Sequence, residues 1–337
     1  MTLLSFIPKT MKLIIVYITL LLLTSLQAIS QEEDPTMKGF IKGVKRNFPI
    51  TRTFDLQYDQ FGPTNYNSKL LGQEDEKGRF DNHNRLKIAV NLPLYKSKSQ
   101  RFVLTNTFLY KYESYGFGDI YNFKSNTTHS RPTKDFHYFA EALSATYVSS
   151  LFNKPIIYNA TMIVDGNEDN VQRIKGFVTA SLVLKKTANT TITAGLLVIA
   201  DPSSIVPIAP LFTYNHQFVN SKWEVGIILP KSILFRRELL ENGRISFGTE
   251  FDSENFYLNI KESQLKGVYE VNSLELKSGI TYEYHLDRKI IGTFKTGINN
   301  ILSTRVTERG ERTDKYIYEN KQDAQAYFRL GLSYNPF

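Results

Sequence analysis

From Thr190 to Phe251 apolar and polar residues alternate almost without a break. Ile192, Ala194, Leu196, Val198 and Ala200 fall on one phase, with Thr193, Gly195, Leu197 and Ile199 on the other. After the turn residues Asp201 to Ser204, Val206, Ile208, Phe212, Tyr214 and Phe218 share a phase. Trp223, Val225, Ile227 and Leu229 then oppose Glu224 and Gly226, and Ile245, Phe247 and Phe251 oppose Ser246, Gly248, Glu250 and Asp252. Successive side chains on a strand point to opposite faces, so a period of two predicts strands with one apolar and one polar or small face.

The same pattern extends in both directions. Phe54, Leu56 and Tyr58 begin it, Leu86 to Leu94 and Phe102 to Tyr112 continue it, and Phe328, Leu330, Leu332 and Tyr334 close it. The chain holds about fourteen such segments, with twelve as the alternative count, each near the ten residues that cross a bilayer at a tilt. The connections alternate in length. Gly62 to Asn82, Glu113 to Lys134, Asp165 to Asn170, Ser253 to Asn272 and Ser303 to Asp323 read as loops on one side. Tyr95 to Gln100, Phe152 to Lys154, Lys186 to Ala188, Asn220-Ser221, Leu240 to Gly243 and Asp287-Arg288 read as turns on the other. Loops sorted in this way predict an all-β fold, a transmembrane antiparallel up-and-down β-barrel with short periplasmic turns and long outer loops. A pair of soluble β-sandwiches has no reason to sort its loops.

The N-terminus adds an address. Lys12 precedes an apolar run from Leu13 to Leu23 and a polar exit from Thr24 to Ser30, which predicts a cleaved signal peptide over residues 1–30. The start on this reading is either Met1 or Met11. Residues 31–50 form a periplasmic segment in which Met37, Phe40, Ile41, Val44 and Phe48 recur at helical spacing. That segment is either a short amphipathic helix or a tether, and the barrel occupies 51–337. The terminal Phe337 resembles the aromatic end of barrel-insertion signals. The expected location is the bacterial outer membrane, and the expected partners are outer-membrane lipid, lipopolysaccharide and the insertion machinery acting on the C-terminal strand.

Composition narrows the chemistry. The 337 residues include no cysteine, which excludes disulfides, thiolate metal sites and cysteine nucleophiles. The formal charge of +8 falls to about +6 once Lys9 and Lys12 leave with the signal peptide, and the remainder is spread rather than clustered. That argues against nucleic acid as a partner. Aromatic residues make up 13% of the chain, which suits strand ends at a membrane interface.

The central block also resembles an uncharacterised, porin-like outer-membrane β-barrel family common in Bacteroidota. The residues that carry this are Gly195-Leu-Leu-Val, Val206 to Phe212, Lys222-Trp-Glu-Val, Leu229-Pro-Lys-Ser232 and Phe235-Arg-Arg-Glu-Leu239. The resemblance implies a barrel in the outer membrane and transfers no catalytic residues.

No nucleophile, metal or phosphate motif stands out. The histidines, His83, His129, His137, His216 and His285, show no zinc-motif spacing. His83 and His129 fall in expected outer loops, His216 on the outward phase, and His137 and His285 in the lumen. No cofactor, metal or enzymatic activity is expected. The candidate lumen-lining residues are instead charged: Arg85, Lys87, Lys111, Glu141, Glu224, Glu250, Asp252, Glu275, Lys277, Glu283, Lys295 and Arg329. Near-balance of sign suggests a lumen crossed by ion pairs. The leading function is a passive channel or a transporter of small solutes or hydrophobic compounds. The alternative is a closed structural or surface ligand-binding barrel, and a lipid-modifying enzyme ranks behind both.

Overall fold

The structure is a computed structural model that describes Phe48, Pro49 and residues 51–261 and 265–336. The expected signal peptide and nearly all of the expected amphipathic helix lie outside these residues.

The described chain is β-structure throughout, in seventeen strands. They are β1 (Phe54–Phe61), β2 (Thr64–Leu70), β3 (Gln73–Lys96), β4 (Phe102–Asn122), β5 (Thr127–His129), β6 (Lys134–Leu151), β7 (Lys154–Gly166), β8 (Val171–Lys186) and β9 (Thr190–Ala200). After these come β10 (Ile208–Gln217), β11 (Trp223–Leu229), β12 (Ser232–Leu239), β13 (Gly243–Ile260), β14 (Gly267–His285), β15 (Ile290–Glu308), β16 (Tyr318–Gln322) and β17 (Gln325–Tyr334). Setting aside β2, β5 and β16, fourteen strands pair antiparallel with their neighbours in chain order. The ring closes where β1 meets β17, with Phe54 opposite Tyr334 and Phe61 opposite Tyr327. Full closure leaves no unpaired edge around the body of the sheet.

The turns at one end are as short as expected. Between β6 and β7, Phe152 and Asn153 both take left-handed φ angles, 52° and 55°, the conformation of a two-residue hairpin turn. The other end differs from expectation. Much of what reads as long loops is strand: β2 and the 24-residue β3 carry Thr64 to Leu70 and Gln73 to Asn82 into the wall, and the 21-residue β4 carries Glu113 to Asn122. Ser253 to Asn272 likewise belongs mostly to β13 and β14. The wall is therefore uneven, because β11 and β12 have only 7 and 8 residues.

The outward face is an apolar band that includes Leu143, Met162, Val178, Leu196, Ile280, Ile298 and Leu330, all exposed. Inward, Gly248, Gly279 and Gly297 stand side by side across β13, β14 and β15. A Cβ on Gly279 would meet the Gly297 Cα at 2.8 Å, so these strands curve more tightly than side chains allow. Beyond this row the wall folds inward. Phe256 and Tyr257 of β13 pack on Tyr138 and Ala140 of β6, although the two strands are not neighbours in the sheet.

Candidate functional site: a charged plug across the lumen

Four strands each present two charged residues at i and i+2, which places both on the inner face. They are Arg85 and Lys87 on β3, Lys111 and Glu113 on β4, Asp252 and Glu254 on β13, and Glu275 and Lys277 on β14. The pairs β3–β4 and β13–β14 are separated in the ring by β1, β17 and β15, so their side chains meet across the lumen. Arg85 is the hub. It donates to Glu113 at 2.7 and 2.9 Å, to Glu275 at 2.7 and 3.1 Å, and to Glu254 at 3.3 Å. Lys111 reaches Glu254 at 2.9 Å, and Lys87 bonds the same carboxylate. Lys277 lies 2.8 Å from Glu275 and 3.2 Å from Asp252.

These four cations meet four carboxylates. Arg85, Glu275 and Lys277 are each 1% exposed, and Glu113 is fully buried. Taking single charges out of water costs several kcal/mol each, and only dense mutual bonding offsets it. The planar guanidinium supplies that bonding by serving three carboxylates at once, and its face lies 5.1 Å from the Phe61 ring. Glu113 also receives a 2.7 Å bond from Tyr115 and contacts His83 Nε2 at 2.6 Å. The His83 ring is stacked between Phe61 and Tyr115, at 4.1 and 4.2 Å.

On the loop side of the plug the interior stays packed. Tyr138 and Tyr257 each donate to Asp165 at 2.7 Å, and Lys175 pairs with Asp165 at 2.6 Å. Arg173 bridges from β8 to Glu270 on β14 at 2.7 Å and also bonds Asp201 in the β9–β10 loop. Burial pushes the Asp201 carboxyl up, but hydrogen bonds from Ser203 and the Arg173 charge outweigh it and hold it below the usual carboxylate range.

On the turn side the interior opens. A cavity of about 240 Å³ lies among Arg52, Arg244, Glu283, Lys295 and Arg329. Arg52 bonds Glu283 from one side and Arg244 from the other, the latter at 2.5 Å. Phe48 is buried at the mouth, 4.5 Å from the His285 ring and 4.7 Å from the Arg244 guanidinium. The opposite wall is lined by hydroxyls and amides. Ser144 bonds Thr161 and Thr193 bonds Thr213, both at 2.7 Å, and Asn159 donates to Thr146 at 3.0 Å.

Of the sequence-predicted lumen residues, Arg85, Lys87, Lys111, Asp252, Glu275 and Lys277 meet in the plug. Lys295 pairs with Glu250 and Arg329 with Asp59 just beneath it, and Glu283 lies at the mouth. Glu224 stands apart on β11, 3.3 Å from Arg236. Glu141 is a correction. It shares its phase with the outward Leu143 and Tyr147 and takes a 2.8 Å bond from the outward Asn106. The inner phase of β6 is instead Phe136, Tyr138 and Ala140, because aromatic side chains fill the lumen here. His137 is outward for the same reason, bonded to Tyr110 at 2.9 Å, whereas His83 leaves its expected loop and is buried in the lumen. Sequence reasoning missed Glu113 and Glu254, which it placed in loops; their i, i+2 spacing from Lys111 and Asp252 is the signal that could have found them. Among the described residues no group of three or more histidine or carboxylate side chains is arranged to hold a metal ion.

No family model matches the chain, and no curated protein matches it. Among solved structures, an outer membrane channel from Pseudomonas putida F1 is 12% identical with a TM-score of 0.36, covering 84% of this chain and 96% of that one. The outer membrane phospholipase of Salmonella typhi is 8% identical at 0.30, covering 87% and 95%. The outer membrane protease OmpT from Escherichia coli is 9% identical at 0.27, covering 86% and 99%. These likenesses are loose, and the fold assignment rests on the strand pairing of the chain itself.

Proposed function

We propose that the chain is an outer-membrane β-barrel that passes small solutes and rests closed, with the Arg85-centred network as its gate. The apolar outward band, the closed ring and the N-terminal export pattern support the location. Lipid and lipopolysaccharide surround the band, and the insertion machinery acts on the last strand. The observation that carries the gate is the burial of Arg85 among carboxylates drawn from β4, β13 and β14. Below it, the polar cavity at the turn side supports a solute route over a purely structural barrel. This reading carries no enzymatic activity.

Conductance of the full chain in a planar bilayer tests it, after a heat-modifiability gel establishes folding. The wild-type protein should be silent or open briefly, and Arg85→Ala should give discrete, lasting steps. Lys87→Ala, at the partly exposed edge of the network, should give the same effect more weakly and guards against a folding defect in Arg85→Ala. Steady large steps from the wild type would refute a closed resting state. Silence from both folded variants would favour the closed structural barrel.

A further inference from the structure

The loop-side half of the lumen contains polar side chains that have no hydrogen-bond partner in the protein. Asn299 leaves both its amide oxygen and its amide nitrogen unpartnered, and so does Gln325. The hydroxyl of Tyr327 is also unpartnered. These three residues are contiguous: Asn299 lies directly opposite Gln325 across β15 and β17, and Tyr327 is two positions along the same face. Asn299 is fully buried, and Gln325 and Tyr327 are 2% and 3% exposed. Lys277 of the plug is the cross-strand neighbour of Asn299 on its other side. Farther towards the loops Asn320, Thr307 and Tyr66 repeat the pattern, each buried with an unpartnered oxygen.

A buried polar group without a partner costs free energy, so native interiors satisfy nearly all of them. Five unpartnered atoms on three neighbouring residues far exceed the rare isolated exception. All five are uncharged, and together they offer two amide donors, two amide acceptors and a hydroxyl. No formal charge among them favours an ion, and the charges of the plug beside them are already paired.

We infer that Asn299, Gln325 and Tyr327 form a site for small, uncharged, hydroxyl-bearing molecules, water or a polyol, on the loop side of the gate. The hydroxyl and amide wall on the turn side, with Thr193, Thr213 and Asn159, offers the same chemistry below the gate. The solute class follows: neutral and hydroxylated rather than ionic. The class rests on the channel reading, whereas the site itself does not.

The site is tested first without transport. Asn299→Leu and Gln325→Leu, made singly in the full chain, replace each amide by an apolar group of similar size. A liganded site loses bonds and the urea midpoint falls; a dry site loses two orphaned atoms and the midpoint holds or rises, which overturns the inference. The solute class is tested in liposomes carrying Arg85→Ala, alone and with both leucine substitutions. Shrinkage in sucrose reads water, swelling in glycerol reads polyol, and conductance reads ions. The leucines should slow water or glycerol movement at least about threefold and leave ion conductance unchanged. Water alone slowed confines the guest to water, and glycerol slowed extends it to polyols. Equal slowing of ions, or no slowing, overturns the class. Failure of Arg85→Ala to pass anything would refute the channel reading, leaving the midpoint shift to decide the site.

Discussion

At the scale of single residues the lumen depends on charge neutralisation at Arg85. Replacing it by methionine keeps much of the stem packing but leaves Glu113, Glu254 and Glu275 without their shared cation. Breaking a buried ion pair by removing one partner costs about 3–5 kcal/mol. Arg85→Met should therefore lower stability by that order in urea unfolding followed through the single tryptophan, Trp223. A loss below about 1 kcal/mol would mean that water screens the network as it does surface pairs. Strand alternation made Arg85, Lys87, Glu275 and Lys277 legible as inner-face residues, since each lies inside a clean apolar–polar run. Glu113 and Glu254 were not legible, because beyond Tyr112 and Asp252 polar residues occupy both faces and the period of two fades. Glu141 misled for the converse reason. Apolar residues occupy both faces of β6, Tyr138 and Ala140 inward and Leu143 and Tyr147 outward, so the usual rule of apolar outward does not pick a side.

At the scale of elements the strand count and the turn end were readable from short polar turns, whereas the height of the wall was not. The loop-side half of the 24-residue β3 pairs with β2, and β2 is held in turn by β16 near the other end of the chain. The bend at the glycine row is equally non-local. Gly248, Gly279 and Gly297 are scattered along the chain and acquire meaning only when the register aligns them. Gly279→Val sets branched carbons where even a Cβ meets the Gly297 backbone, so β14 and β15 must separate. The folded yield should fall sharply on a heat-modifiability gel. The outward Ile280→Val next to it should leave that yield unchanged. Normal folding of Gly279→Val would show that the wall bends without the glycine row.

At the scale of the whole molecule the two halves of the lumen differ in access. The turn side has half-buried hydroxyls and a cavity, and the loop side is filled by aromatic and amide side chains above a buried ionic layer. The absence of cysteine lets this asymmetry be measured directly, because any introduced thiol is the sole one in the chain. Thr193→Cys lies on the open wall of the turn side and Asn299→Cys lies beyond the plug. A membrane-impermeant, charged thiol reagent added on the turn side should label the first within minutes and leave the second unlabelled. Adding the reagent on the loop side should label neither, since both the packed half and the plug stand in its way. Combining each thiol with Arg85→Ala should bring Asn299→Cys within reach from the turn side and Thr193→Cys within reach from the loop side. Labelling of Thr193→Cys from the loop side in the otherwise unaltered protein would mean that a route bypasses the plug, past the short β11–β12 wall or along the lumen edge. The Arg85 network would then brace the barrel rather than close it.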